Sequence, residues 1–201
     1  MASDFPTVEF PRIERVYIFI IKASRVLIRI GIQILAPINV GIYMRAYTRY
    51  LRAIGLQIDG TPKFISNDVY FDGSDYGLIS LGDNVVISRE VMFLTHDYSV
   101  TAGLAAIGQR VRRGEGELYT LRPIRVGRDC FIGARSSLLP GATLGDNVIL
   151  GAGSVVVGHI PANSVAAGNP ARVIAETSAW AQAKLAHGEV LTEGHAPECK
   201  E

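Results

Sequence analysis

The stretch Val126-Gly-Arg-Asp-Cys-Phe-Ile-Gly-Ala-Arg-Ser-Ser-Leu-Leu-Pro-Gly-Ala-Thr-Leu-Gly-Asp-Asn-Val-Ile-Leu-Gly-Ala-Gly-Ser-Val-Val156 decides how this chain folds. Aliphatic residues stand at Val126, Ile132, Leu138, Leu144, Leu150 and Val156, six apart without a gap. Four residues after each come Cys130, Ser136, Ala142, Val148, Ser154 and Ile160, mostly small side chains. Gly127, Gly133, Gly145 and Gly151 follow the aliphatic position, and turn formers recur at Asp129, Pro140-Gly141 and Asp146-Asn147. A period of six belongs neither to a helix nor to a simple hairpin, and it calls for stacked, near-identical units. Each unit is one short strand and a corner where Gly, Asn or Asp accepts unusual backbone angles. Three units close a triangular coil whose interior takes the aliphatic side chains. Coils stacked at the strand spacing of ~4.8 Å then build the core that a single coil lacks.

The same register is weaker upstream, at Val69, Leu81, Ile87 and Phe93, with Val85 and Val91 in the small position, and Asp75 breaks it. The non-periodic residues 99–122 are too long for an ordinary connection and read as a loop thrown out of the β-helix. Ahead of the repeats, Ile13 to Gly55 reads as two helices parted near Pro37-Ile38-Asn39, the first with a basic stripe of Arg15, Lys22 and Arg29 beside Arg25 on an apolar cylinder. Behind them, Thr177 to His187 suggests a short helix with Trp180 and Leu185, and Gly188 to Glu201 a solvated tail. The expected organisation is a helical segment (1–60), an all-β parallel β-helix (61–176) and a carboxy-terminal helix with tail (177–201).

A formal net charge of +1 gives no global field for nucleic acid, which is not an expected partner. Cys130 and Cys199, far apart, form no disulfide framework, and a reducing compartment is the simple expectation. The first ten residues carry Asp4 and Glu9 and no basic region ahead of an apolar core, so a cytoplasmic location is expected. The uncharged run from Ile30 to Met44 contains Gln33, Pro37 and Asn39 and falls short of the ~20 apolar residues of a spanning helix. The basic stripe leaves open a peripheral contact with the inner face of a membrane.

The run from Val126 to the terminal Asn169-Pro-Ala-Arg172-Val-Ile174, with Thr95-His96-Asp97 ahead of the loop, resembles the hexapeptide-repeat acyltransferases, the galactoside, maltose and polysaccharide O-acetyltransferases above all. The likeness covers about Lys63 to Ile174. It implies a left-handed β-helix, a homotrimer with active sites in grooves between neighbouring β-helices, and acetyl-coenzyme A as co-substrate stretched along the coils. The implied reaction is direct O-acetylation of a hydroxyl on a sugar, polysaccharide or lipid-linked saccharide.

His96, at the edge where the coil yields to the loop, is the expected general base, an imidazole being mostly neutral at pH 7. Asp97 is its candidate orienting carboxylate, although neighbours on a strand point to opposite faces. No Ser or Cys stands in a setting suited to covalent catalysis, and Cys130 reads as a buried packing residue. The resemblance places coenzyme A against Ala134, Ala152, Asn169, Pro170 and Arg172, the last pairing with phosphate. Where the family often has a Thr-Lys pair this chain has Val157-Gly158, which removes one basic contact. Asn67 and Asp72 are candidates for gripping the acceptor, as are Tyr98 and Arg110, with Arg112, Arg113 and Tyr119, from the loop.

Three other readings remain. A serine acetyltransferase or an antibiotic acetyltransferase shares the base and donor logic, and a β-helix can be a mere scaffold. The γ-class carbonic anhydrases need three zinc-binding histidines from the coils, where this chain offers only His96 and His159, so no metal is expected.

Overall fold

The computed structural model describes residues 27–73, 75–112 and 116–187. Arg15, Lys22, Arg25, Arg113 and the tail 188–201 lie outside the described residues. Three stacks of short parallel strands form the faces of a triangular prism, a left-handed β-helix. Face A holds β1 (Gln57–Ile58), β4 (Ile79–Leu81), β9 (Ile124–Val126), β12 (Thr143–Leu144) and β15 (His159–Ile160). Face B holds β2 (Phe64–Ile65), β5 (Val86–Ile87), β10 (Phe131–Ile132), β13 (Ile149–Leu150) and β16 (Ser164–Gly168). Face C holds β3 (Tyr70–Phe71), β6 (Met92–Phe93), β11 (Ser137–Leu138) and β14 (Val155–Val156). Successive coils pass A, B, C in turn, and the first strand lies ahead of residue 61, at Gln57.

The hexad residues face inward as expected: Ile87, Phe93, Ile132, Leu138, Leu150 and Val156 are wholly buried. Small residues occupy the corner columns, where Val85, Val91, Ser136, Ala142, Val148 and Ser154 are also fully buried. Each follows a residue with positive φ, such as Asn84, Arg135 or Asn147, as Cys130 follows Asp129, and Asn84 Nδ2 donates to Asp129 Oδ1 one coil above (2.7 Å). Gly133 is demanded by close approach, since a Cβ there would stand 2.5 Å from the Ala152 nitrogen. Burial pushes the Cys130 thiol up to about 11, and its Sγ donates to the Gly145 carbonyl (3.1 Å), which fits a packing role.

Two assignments of the hexad count are corrected. Ile160 pairs with Leu144 and so fills an inward position rather than a small one. The preceding corner, turned at Gly158 with φ +90°, is short, so the inward residue after Val156 comes four positions on instead of six. Upstream, Phe71 pairs with Phe93 and takes the inward place, while Val69 belongs to the corner column. The extra residues after Phe71, including a 3-10 turn at Tyr76–Leu78 capped by Asp75, displace the register there.

Each end of the prism presents unpaired strand edges, which invite association unless covered. At the first coil the cover is helical: α1, described over residues 27–33, and α2 (Val40–Ala53), whose Asn39 cap accepts from Ile42 N (2.9 Å). α2 buries Tyr43, Met44, Tyr47, Thr48 and Leu51, and Tyr43 Oη donates to the Ile65 carbonyl (2.8 Å). Arg29 donates to the carbonyls of Asn67 (2.9 Å) and Val69 (3.3 Å). One member of the basic stripe is therefore a structural cap, not a solvated charge. At the far end β17 (Ala171–Glu176) folds back antiparallel on β16 and leads into α4 (Thr177–Ala186).

Candidate active site

The edge between faces C and A carries the irregularity. On the first coil Asp72 follows the inward Phe71, and on the second the chain leaves the coil after Phe93 and returns at β9. The neck of this excursion is a two-stranded ladder, β7 (His96–Asp97) against β8 (Thr120–Leu121), with His96 opposite Leu121. Arg122 N donates to the Thr95 carbonyl (2.9 Å), which ties the returning chain to the corner. Within the loop lies α3 (Ser99–Leu104), and Thr101 Oγ1 bridges to Leu118 by donating to its carbonyl (2.6 Å) and accepting from its N–H (2.8 Å).

Asp72 is 2% exposed, and its Oδ2 accepts from Thr95 N (3.0 Å), Thr95 Oγ1 (2.7 Å), His96 N (3.2 Å) and the His96 ring at Nδ1. Four contacts thus converge on one oxygen of a buried carboxylate. It also fixes the ring: with Nδ1–H given to the carboxylate, the neutral imidazole carries its lone pair on Nε2. The side chain of His96 is 30% exposed, open enough for a substrate to reach.

Two sequence expectations change here. Asp72 is no surface group for gripping an acceptor, because burial and its hydrogen bonds commit it to His96 and Thr95. Asp97 does not orient the ring: its carboxylate accepts from Ser99 N (2.7 Å) and Ser99 Oγ (2.9 Å), which hold it below the usual carboxylate range. Strand alternation sends it away from His96, and the orienting carboxylate comes from the coil beneath. That partner lies 24 residues back in the chain but one strand spacing away in space.

Tyr98 packs edge-on to the His96 ring (centroids 5.3 Å apart) and stacks on Tyr119 (4.8 Å). Arg110 is exposed and borders a groove of about 500 Å³ with Tyr98, Thr101, Gln109 and Glu117. Arg112 is exposed in the same loop.

The coenzyme candidates lie along a different edge, between faces B and C. Ala134 and Ala152 line a groove of about 540 Å³ with Arg89, Glu90, Arg135 and Gly153. Asn169-Pro170, joined by a cis peptide bond, turns the same edge on the last coil, and Arg172 stands exposed just beyond. Asn67 belongs to the foot of this edge, where its carbonyl holds Arg29 and Gln33. Face C separates all of these from His96 within one chain. Thr143 Oγ1 and His159 Nδ1, hydrogen-bonded at 2.8 Å on the outside of face A, are apart from both edges. Among the described residues no three His, Cys, Asp or Glu side chains gather as a metal site.

Residues 123–157 match the family model described as hexapeptide repeat of succinyl-transferase. Protein CapG of Staphylococcus aureus is 37% identical over 130 residues, 65% of this chain and 71% of that protein. The chain belongs to the hexapeptide-repeat acyltransferase family. Within it, the galactoside O-acetyltransferase of Escherichia coli strain K12 is 41% identical over 135 residues, 58% of this chain and 62% of that enzyme, so the match spans less than two thirds of the relative's length. Among solved members, a galactoside acetyltransferase in complex with coenzyme A superposes with a TM-score of 0.51 at 25% identity, covering 77% of this chain and 82% of that one.

Proposed function

We propose that the protein is an acetyl-coenzyme A-dependent O-acetyltransferase acting on a saccharide hydroxyl, with His96 as the general base. The observation that carries this reading is the His96–Asp72 pair at the neck of the loop. Nε2 takes the proton of the acceptor hydroxyl as its oxygen bonds to the acetyl carbonyl carbon. The carbon–sulfur bond then breaks, and the departing thiolate takes that proton back from the imidazolium. Asp72 stabilises the charge the ring gains midway, as a buried carboxylate does in nucleophile–base systems. Exposed Tyr98 and Tyr119, stacked beside the ring, offer an aromatic surface to the acceptor.

The pantetheine arm fits the edge between faces B and C, where alanine and glycine corners leave the backbone accessible and Arg172 supplies a cation for phosphate. The two edges flank face C alone. A three-fold assembly with face C towards its axis brings the His96 edge of one subunit against the Ala134–Ala152 edge of the next. Tyr70 and Met92, 50% and 39% exposed on face C, supply the apolar surface for that contact. This arrangement favours the homotrimer.

The test is thiol release from acetyl-coenzyme A against a panel of sugars, glycolipids, serine and antibiotics. A saccharide should be acetylated, and His96→Ala should lower turnover by about 100-fold or more with assembly unchanged. Turnover near that of the parent in His96→Ala, or consumption confined to serine or an antibiotic, would overturn the reading.

A further inference from the structure

A groove of about 930 Å³ runs between one side of α2 and the first coil, whose Thr61, Pro62 and Lys63 form its other wall. Arg45, Arg49, Arg52 and Lys63 place four cations around it, with Val40, Met44 and Pro62 as the apolar lining. Arg52 is committed to the carbonyls of Ile58 and Gly60. Arg45, Arg49 and Lys63 take part in no ion pair among the described residues. The nearby acid Asp83 stands behind the groove wall, its carboxylate accepting from Thr61 N (2.6 Å).

An apolar ridge runs into this groove at Val40. Ile30 in α1, Ile34 and Ile38 in the turns that follow it, and Val40 and Ile42 at the start of α2 are exposed by 50, 61, 71, 53 and 44%. Several large aliphatic side chains exposed within one short segment mark a contact site. A second copy laid over the ridge would cover the isoleucines but set like-charged arginines against each other. An anionic bilayer satisfies both features, since the acyl boundary takes the aliphatic side chains and headgroup phosphates take the cations. Among the described residues no helix is long and apolar enough to cross a membrane.

We propose that this end of the β-helix docks on an anionic phospholipid surface, with Ile34, Ile38 and Ile42 entering the acyl boundary and Arg45, Arg49 and Lys63 holding headgroup phosphates. The inference deepens the proposed function and rests on it for one consequence. Asp72 and His96 belong to the first two coils, so the reactive imidazole lies within a few strand spacings, about 10–15 Å, of the docking end. The matching acceptor is a saccharide borne on a lipid. In a trimer with parallel axes all three docking ends face one way, which multiplies a weak contact.

The test is sedimentation of the whole chain with vesicles of phosphatidylcholine alone and of phosphatidylcholine mixed with phosphatidylglycerol. Binding should require phosphatidylglycerol and weaken as salt is added. Arg45→Glu with Arg49→Glu, and separately Ile34→Asp with Ile38→Asp, should each reduce binding by about tenfold or more. Both variants should keep the parent's melting temperature and its acetyl transfer to a soluble acceptor. Equal binding to both vesicle types, no binding to either, or variants that bind like the parent would overturn the proposal. So would self-association through this face in place of binding. Docking without acetyl transfer would end the catalytic reading alone, and transfer without docking would end this one alone.

Discussion

The third and fourth coils and the first two share one architecture and differ in what their corners hold. From Val126 to Val156 every corner is turned by a short tight link, each inward residue stacks on its equivalent eighteen residues away, and small buried residues close the columns. From Gln57 to Phe93 the faces are the same, but one edge carries a buried carboxylate, a 3-10 turn and the excursion over residues 94–123. Where the repeat is regular, side chains are spent on packing. Where it breaks, polar groups that the prism does not need are held by it in fixed geometry, and the chemistry gathers there.

The sharpest way to separate the regions is to remove bulk from the regular one. Leu138→Ala empties an inward position that is wholly buried between Phe93 and Val156. It should lower unfolding free energy by about 2–5 kcal/mol, readable as an earlier denaturation midpoint. Transfer per folded molecule should stay near that of the parent. A large fall in turnover with stability intact would show that the two regions do not divide labour as described.

In the irregular region the order reverses. Asp72→Asn keeps an acceptor oxygen for Thr95 and the His96 amide but removes the charge facing the imidazolium. Turnover should fall by about tenfold or more, less than for loss of the ring itself. A stable variant with turnover near that of the parent would make Asp72 a structural residue only.

The prism was legible because a hexad period over six units has no other physical source. The places where counting failed share a cause: Gly158 and the residues after Phe71 change how many residues a corner takes, and a fixed period cannot register that. The Asp72–His96 pair was legible only in principle. A count that aligned Phe71 with Phe93 sets residue 72 beneath residues 94–96, whereas the neighbour Asp97 is the partner that proximity in sequence suggests. Arg29 misled for the same reason, since a stripe read along one helix says nothing of the carbonyls of Asn67 and Val69 that wait across the gap.

Asp68 and Asp72, four residues apart on the first coil, give the finest form of the comparison. Asp68 Oδ1 accepts from Ser66 Oγ (2.7 Å) and Glu90 N (3.1 Å), and its Oδ2 from Arg89 Nε (3.0 Å). Partial burial would raise its pKa, but these three donors outweigh it and hold the carboxyl below its usual range. A depressed value in the folded state means that the ionised form stabilises the fold above the unfolded pKa near 4, and that this is lost as pH falls through the folded value. Arg89 is 76% exposed, so its share is screened and the whole contribution is on the order of 1 kcal/mol or less. Asp68→Asn should therefore melt slightly earlier than the parent at pH 7, and the gap should narrow as pH falls below the unfolded pKa, with acetyl transfer unchanged. An Asp68→Asn variant that lost turnover as Asp72→Asn does would give Asp68 a second task, holding Arg89 and Glu90 in place as walls of the groove beside Ala134 and Ala152.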